Sequence, residues 1–387
     1  MIYFDNNATT PVAPEVLEAM LPYLSGSYGN ASSAYAIGQE ARGEVDRSRE
    51  AVASLLGTDD SREIVFTSCG TESDNWAILG GLKARPGKRH IISTTVEHDA
   101  VRRLLKKLET EGYEVTWIEV DEAGALDLDH LRNALRSETA VVSAMLANNE
   151  TGILFPVNEI AAIVRENSDA LFHVDGVNAV GKVPIELKST EIDLFSISAH
   201  KFHGPKGIGA LYIRNGIDLR PSLIGGGQER GRRAGTEAVH QIAGLGAAAK
   251  LAADLLPMQN VKRLRDLLEN EILDKIPNSR LNGTADSAKR LPNTSSISFE
   301  NTNGEMILDQ LDRAGICVST GSACNAADHT PSPILAAMNV PYSWAMGSIR
   351  FSLSRFNTEA EVEAVLKALP EIVSKLKGLR SATADSY

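Results

Sequence analysis

The chain has 387 residues, 43 % of them apolar and 23 % charged, with a formal net charge of −11. Its length exceeds what one compact core usually holds, so a large and a smaller domain are expected. The acidic balance argues against nucleic-acid binding, and no apolar run is long enough to span a bilayer. Three cysteines without a CxxC pair argue against a disulfide framework or a structural zinc site.

The N-terminus has no basic region followed by an apolar stretch, so no secretory signal is expected and a reducing cytoplasm fits. Residues 5–11 carry turn chemistry. Pro14 suits a first helical turn, and Leu17, Met20, Leu21 and Leu24 follow at i, i+3, i+4 and i+7, which predicts a helix that buries this face. A loop over 26–33 and a helix over 39–56, stopped by Gly57, come next. Residues 63–67 read as a strand that runs through a small polar turn into a helix with Trp76, Leu79 and Leu82. A strand, a polar turn and a helix N-terminus make an anion site, because unpaired N–H groups and the helix dipole face outward there. Gly70 permits close approach and Thr71 adds a hydroxyl.

Strands over 90–94, 114–120, 140–146 and 170–174 alternate with helices, one marked by Val101, Leu104, Leu105 and Leu108 and one over 158–166. The alternation predicts a mostly parallel sheet covered on both faces. Ligands of such sheets sit at the carboxyl ends of the strands. That singles out Thr71, His98, Asn149, Asp175, Ser198, His200 and Lys201. Lys201 ends the apolar run Asp193-Leu-Phe-Ser-Ile-Ser-Ala-His-Lys201, and Gly204, Pro205 and Gly207 bar that run from continuing. A lysine at the rim of a core is partly desolvated, and desolvation lowers its pKa, as imine chemistry with a carbonyl requires.

Residues 225–236 are rich in glycine and arginine, a surface loop or an arm that reaches an anion across a subunit interface. A crossing over 251–259 leads into a long helix. Strands over 295–299, 316–319 and 348–353 follow, then a last helix with a capping box, Thr358 and Glu361. Strands and helices in blocks predict a smaller α+β domain. Within it, small residues and glycine surround Cys324, the setting of an exposed thiol on a mobile loop and a candidate nucleophile.

Together these motifs resemble the NifS/IscS-type cysteine desulfurases, pyridoxal 5'-phosphate enzymes of the aspartate-aminotransferase-like fold (fold type I) that work as homodimers. The resemblance rests on Phe4-Asp-Asn-Asn-Ala-Thr-Thr10, Thr67-Ser-Cys-Gly-Thr-Glu-Ser-Asp-Asn75, Asn148-Asn-Glu-Thr-Gly152, Ser198-Ala-His-Lys201, Arg232-Arg-Ala-Gly-Thr236, Ser319-Thr-Gly-Ser-Ala-Cys324 and Ser348-Ile-Arg-Phe-Ser-Leu-Ser-Arg355, and so spans nearly the whole chain. It implies an α/β chain with a large domain over 13–255, built on a mostly parallel seven-stranded sheet. A small α+β domain over 1–12 and 256–387 would carry the cysteine loop at about 319–332.

The resemblance also implies roles. Lys201 would hold the cofactor covalently and later move the Cα proton of the substrate. His98 would stack on the pyridine ring and share in acid–base steps, and Asp175 would pair with the ring nitrogen. Gly70, Thr71, Ser198 and His200 would bind the phosphate, with Thr236 reaching in from the other subunit. Asn149 would lie against the ring, Asn178 would face its phenolic oxygen, and Arg350 would clamp the substrate carboxylate. Cys324 would take sulfur from L-cysteine as a persulfide and pass it to an iron–sulfur scaffold or another acceptor. No stable metal site is implied, although Cys324 could ligate an iron–sulfur species transiently. The sequence departs from the family pattern at Asn178, where glutamine is usual, at Ala31 for proline, Tyr35 for histidine and Asn325 for threonine. The same motifs leave open a selenocysteine lyase or another β-eliminating enzyme of this fold, or a cofactor-retaining partner protein without turnover. A zinc hydrolase using His98, His200 and His203 is disfavoured, since no HExxH-like helix is present.

Overall fold

Twelve strands appear among the described residues of the computed structural model, which are 1–320 and 330–384. A short β1 (Ile2–Tyr3) precedes seven strands that form one sheet: β2 (Ile64–Thr67), β3 (His90–Thr94), β4 (Glu114–Ile118), β5 (Thr139–Met145), β6 (Leu171–Asp175), β7 (Leu194–Ser198) and β8 (Gly209–Ile213). Their order is β2-β8-β7-β6-β5-β3-β4. From β7 to β4 the neighbours pair in parallel, whereas β8 runs antiparallel to both β7 and β2. The mostly parallel, seven-stranded α/β architecture expected from the sequence is therefore present. Strands β5 to β8 are buried along their whole length, as helices on both faces of a parallel sheet require.

The register aligns the strand ends. Met145 pairs with Asp175, Asp175 with Ser196, and Ser198 with Gly209. Residues just past β5, β6 and β7 thus emerge along one edge of the sheet, where the helix Gly70–Ala84 also begins.

A second apolar core lies under β9 (Ser279–Leu281), β10 (Thr294–Phe299), β11 (Ile316–Cys317) and β12 (Ser348–Ser352). Three of these form the antiparallel sheet β12-β10-β9, and β11 pairs in parallel with β1. The helices Pro257–Lys275 and Glu359–Ala384 cover this core through Leu264, Leu268, Val365 and Leu369. Phe4 is fully buried in it, which ties the N-terminus to the C-terminal part of the chain. Ile334, Leu335 and Ala345 instead join the larger core. The capping box forms: Thr358 N–H donates to Glu361 at 2.8 Å, and Glu361 N–H donates to the Thr358 hydroxyl at 3.4 Å.

The first helix differs from expectation. It breaks into Pro14–Met20 and Pro22–Ser25, and Leu17, Leu21 and Leu24 are each about half exposed. Of the expected face only Met20 is buried, and Val16 joins it against the core. Periodicity marks an apolar face, but the helix buried here is packed by its other side against the helix Val239–Ala253.

The glycine- and arginine-rich arm is anchored through a buried ion pair. Glu229 accepts from Arg49 at 2.6 and 2.8 Å and from the backbone N–H of Phe66 at 2.9 Å. Both side chains are at most 5 % exposed. Glu229 and Arg230 have φ of 48° and 59°, a conformation that non-glycine residues adopt at a cost. Glu229→Ala would leave the Arg49 charge buried without its partner. We expect it to lower folding stability by about 3–5 kcal/mol, read by chemical denaturation. A loss under about 1 kcal/mol would show that solvent already reaches the pair.

Candidate active site

The turn after β6 builds one wall of the crevice. Asp175 is the last residue of the strand, and its carboxylate accepts from the Val177 N–H at 2.9 Å. Gly176 is required between them: a Cβ there would stand 2.0 Å from the Phe195 ring. Asn178 follows, 5 % exposed, with its Oδ1 accepting from Lys182. The turn after β7 builds the floor. Ser198 is buried with its hydroxyl unpartnered among the described residues. His200 Nδ1 lies 3.1 Å from the Thr9 hydroxyl, and Lys201 Nζ donates to the carbonyls of Asn7 at 2.6 Å and Ala8 at 3.0 Å.

The opposite wall comes from two helix starts and the exit of β5. Gly70 opens its helix, where a Cβ would meet Val177 at 2.7 Å, and Thr71 follows it exposed. His98 caps the helix Asp99–Thr110 by accepting from the Ala100 N–H at 3.1 Å through Nδ1. In the neutral ring the proton then sits on Nε2. Asn149 presents an unpartnered, buried Oδ1, while its backbone carbonyl accepts from Asn7 and Arg350. Gly70, Thr71, His98, Asn149, Asp175, Asn178, Ser198, His200 and Lys201 all line one cavity of about 210 Å³.

Charge in this cavity is set by burial. It pulls Lys201 down to about 8, helped by the nearby Arg350. It pulls His200 down to about 4, so this imidazole is neutral at pH 7. Burial, then the neighbouring Asp74, lifts Asp175 to about 6. Behind Asp175, burial lifts Asp74 to about 7 and Glu97 to about 8, and holds His173 near 4. The 3.5 Å approach of His173 to Asp74 is therefore not an ion pair at neutral pH, because the imidazole carries no charge.

Two sequence-predicted residues stand off this lining, and a third falls among residues that are not described. Thr236 is exposed and lines a separate cavity of about 110 Å³ with Ser68 and Arg233. Arg350 is buried next to the cavity, not on its lining. Its Nη2 pairs with Asp5 at 2.6 Å, its Nη1 donates to the Asn149 carbonyl at 2.9 Å, and its Nε has no partner among the described residues. Cys324 lies outside the described residues.

The family model of the class-V aminotransferases matches residues 2–365. The chain belongs to that family. Within it the chain groups with the NifS-type cysteine desulfurases. It is 54 % identical over 383 residues to a cysteine desulfurase of Trichormus azollae, covering 98 % of this chain and 94 % of that one. Among solved structures, a NifS-like protein is 40 % identical with a TM-score of 0.91, covering 97 % of this chain and 100 % of that one. A structure of SspA in complex with cysteine is 33 % identical with a TM-score of 0.81, covering 92 % of this chain and all of that one.

Several residues of this class-V aminotransferase escape sequence reasoning. The amine of Lys201 rests on the carbonyls of Asn7 and Ala8, which come from the N-terminal turn more than 190 residues away. Lys182, buried beside Asn178, carries no periodic or motif signal beyond standing four residues after it. Asp74 lies on the helix Gly70–Ala84, Glu97 in the turn after β3 and His173 on β6, and only the packing of that helix on the sheet and the register of its strands bring them together. Among the described residues no group of three His, Cys, Asp or Glu is placed to hold a metal ion, and no helix is long and apolar enough to cross a membrane.

The polar atoms left over define what fits. Ser198 Oγ, Asn178 Nδ2 and Asn149 Oδ1 are buried without partners among the described residues, and all three residues line one cavity. Buried polar groups cost free energy unless satisfied, so the set calls for a polar occupant. A helix N-terminus, a hydroxyl and a neutral imidazole at one end suit a phosphate, and Asp175 suits a cationic ring N–H. An amine with a lowered pKa suits a carbonyl carbon.

Proposed function

We propose that this chain is a cysteine desulfurase dependent on pyridoxal 5'-phosphate, forming L-alanine from L-cysteine and leaving a persulfide on Cys324. The observation that carries the reading is the convergence of Lys201, Asp175 and three unpartnered polar atoms on one cavity. The cysteine desulfurases among its relatives and the cysteine complex of SspA support L-cysteine as substrate. When bound, the cofactor supplies an electron sink for the bonds around the substrate's Cα.

Lys201 would hold the cofactor covalently through Nζ and afterwards carry a proton to and from the substrate carbon. Asp175 would keep a proton on the ring nitrogen, and that cation would in turn restore the carboxylate that burial disfavours. The helix start at Gly70 and Thr71, with Ser198 and His200, would bind the phosphate. Asn178 Nδ2 would donate to the phenolic oxygen, His98 would cover the ring, and Asn149 would border it. Arg350 is preset by Asp5 and the Asn149 carbonyl, and would receive the substrate carboxylate. The Cys324 thiolate would attack the substrate sulfur. A sulfur–sulfur bond forms, the carbon–sulfur bond breaks, and its electron pair stays with Cβ, which takes a proton to become the methyl group of alanine.

Thr236 would complete the phosphate site of a second subunit, since it does not reach the cavity of its own chain. The half-exposed Leu17, Leu21 and Leu24 and the exposed Ile224 support a homodimer. A reducing cytoplasm suits the working thiol. The acceptor would be an iron–sulfur scaffold or another sulfur-carrying protein.

The test is to follow L-alanine and sulfide from L-cysteine with a reductant present. Equal amounts of both are expected. Sulfide accompanied by pyruvate and ammonia, or turnover confined to selenocysteine, would sink this reading in favour of another enzyme of the same fold.

Asn178 gives a finer prediction. Asparagine is one methylene shorter than glutamine, so its donor stands farther from the phenolic oxygen. A weakened neutral hydrogen bond costs about 0.5–1.5 kcal/mol, or up to about one pKa unit. A weaker donor at Asn178 would support that oxygen less and so would raise the pKa of the cofactor's visible band. Asn178→Gln is therefore expected to lower the pKa of the cofactor's visible band in a spectroscopic titration. An unchanged or higher pKa would show that Asn178 already reaches the oxygen or faces away.

A further inference from the structure

The two ends of the Asn178 amide have different fates. Nδ2 is buried with no partner among the described residues, on a residue that lines the cavity, whereas Oδ1 accepts from Lys182 Nζ at 2.9 Å. Lys182 also donates to the Asn178 carbonyl at 2.8 Å and to Asn7 Oδ1 at 3.3 Å. It is 8 % exposed, and each of these acceptors is a neutral oxygen. Three acceptors around one nitrogen match the three donors of an ammonium, which has no lone pair to accept with. The amide atom that faces Nζ is then the oxygen, and the amide nitrogen has to point away from it. A primary amide without such a neighbour can turn over and exchange its two ends.

The charge of Lys182 needs an explanation as well. Burial, then the nearby Lys201 and Arg350, pull its ammonium well below the ordinary range. A buried cation that meets only neutral oxygens is stabilised once an anion arrives within reach. The amide of Asn178 stands between that cation and the cavity.

We propose that Lys182 is a positioning residue that locks the Asn178 amide with its NH₂ toward the cavity and, through that amide, presents a charge-assisted donor to an oxyanion of the bound cofactor. The proposal rests on the cofactor reading above and adds to it the residue that orients the donor. Lys182 touches neither substrate nor cofactor in this account; its effect passes through Asn178.

The holoenzyme's visible band reports the result without reference to turnover. Native protein, Lys182→Met, Asn178→Ala and the double variant would be titrated with pH at saturating pyridoxal 5'-phosphate. Methionine keeps the unbranched stem of lysine as far as Cε and removes every donor. Lys182→Met should raise the pKa of the band by up to about one unit, Asn178→Ala should raise it similarly, and the double variant should match Asn178→Ala. Shifts that add in the double variant would overturn the proposal, because Lys182 would then act by its charge alone. An unchanged titration in Lys182→Met would overturn it too. Lys182→Leu serves the same comparison should Lys182→Met not fold. A native protein without a visible band would refute the cofactor reading itself, and this one with it, whereas a native band together with additive shifts sinks only the role of Lys182.

Discussion

Lys201→Ala is expected to lose the visible band of the holoenzyme and to lower desulfurase turnover by about a thousandfold or more, the scale of a missing nucleophile that also serves as acid and base. Lys201 stands where β7 turns away from the sheet, at the rim of the larger core. Burial and Arg350 hold its pKa near 8, well under the ordinary value for lysine. The sign is favourable for bond formation. A lowered pKa raises the share of neutral amine at pH 7, and only the neutral amine attacks a carbonyl carbon. The rate at which cofactor-free protein captures pyridoxal 5'-phosphate should therefore rise with pH and level off above about 8. Lys201→Arg retains the charge but cannot form the bond, so it should behave like the alanine variant. Borohydride treatment settles the assignment, because it makes a lysine–cofactor linkage permanent. A Lys201→Ala protein that still yields a borohydride-stable adduct on another lysine would show that the linkage lies elsewhere. Lys182, buried close by, is the first place to look.

Cys324→Ala should keep the visible band and still bind L-cysteine, yet transfer no sulfur, a loss of about a thousandfold or more when a covalent nucleophile is removed. The other two cysteines are poorly suited to the task. Cys69 lines the cavity, but its sulfur caps a helix, accepting from the Glu72 N–H at 3.5 Å. Cys317 sits on β11, where burial raises its thiol above the ordinary value and so reduces the thiolate. Labelling of persulfide after one turnover, followed by mapping of the modified residue, distinguishes the three. Label on Cys69 or Cys317 with Cys324 intact and unlabelled would refute the role of Cys324.

Much of this follows from local pattern. Several strands of the large sheet read as short apolar runs between turn residues, and those expected over 63–67, 90–94, 114–120, 140–146 and 170–174 each lie within two residues of their expected ends. A run such as Leu-Phe-Ser-Ile-Ser over 194–198 has few ways to bury its side chains other than inside a covered sheet. The capping box at Thr358 and Glu361 forms because both partners lie within one turn of each other. Nine of the predicted site residues meet on one cavity for a similarly simple reason: they lie at or within a few residues past strand ends, or at helix starts, and parallel topology puts those ends on one edge.

Other features depend on distance in the chain. Pattern alone chose the wrong face of the first helix, because Leu17, Leu21 and Leu24 repeat as regularly as a buried face would. Burial is decided by what packs against a helix, and the helix Val239–Ala253 takes Val16 and Met20. The separation of Thr236 from the cavity of its own chain likewise needs three dimensions.

By itself the sequence determined the alternation of strands and helices, the strand-end chemistry of Asp175 and Lys201, and the family to which the chain belongs, since each is carried by contiguous residues. Only the tertiary structure decided how those groups are tuned. Lys182 reaches Asn178 and Asn7, Arg350 reaches Asp5, and Asp74 and Glu97 stand behind Asp175. Desolvation and charge coupling depend on separation in space and on exclusion of water, and neither is written in the spacing of residues along a chain.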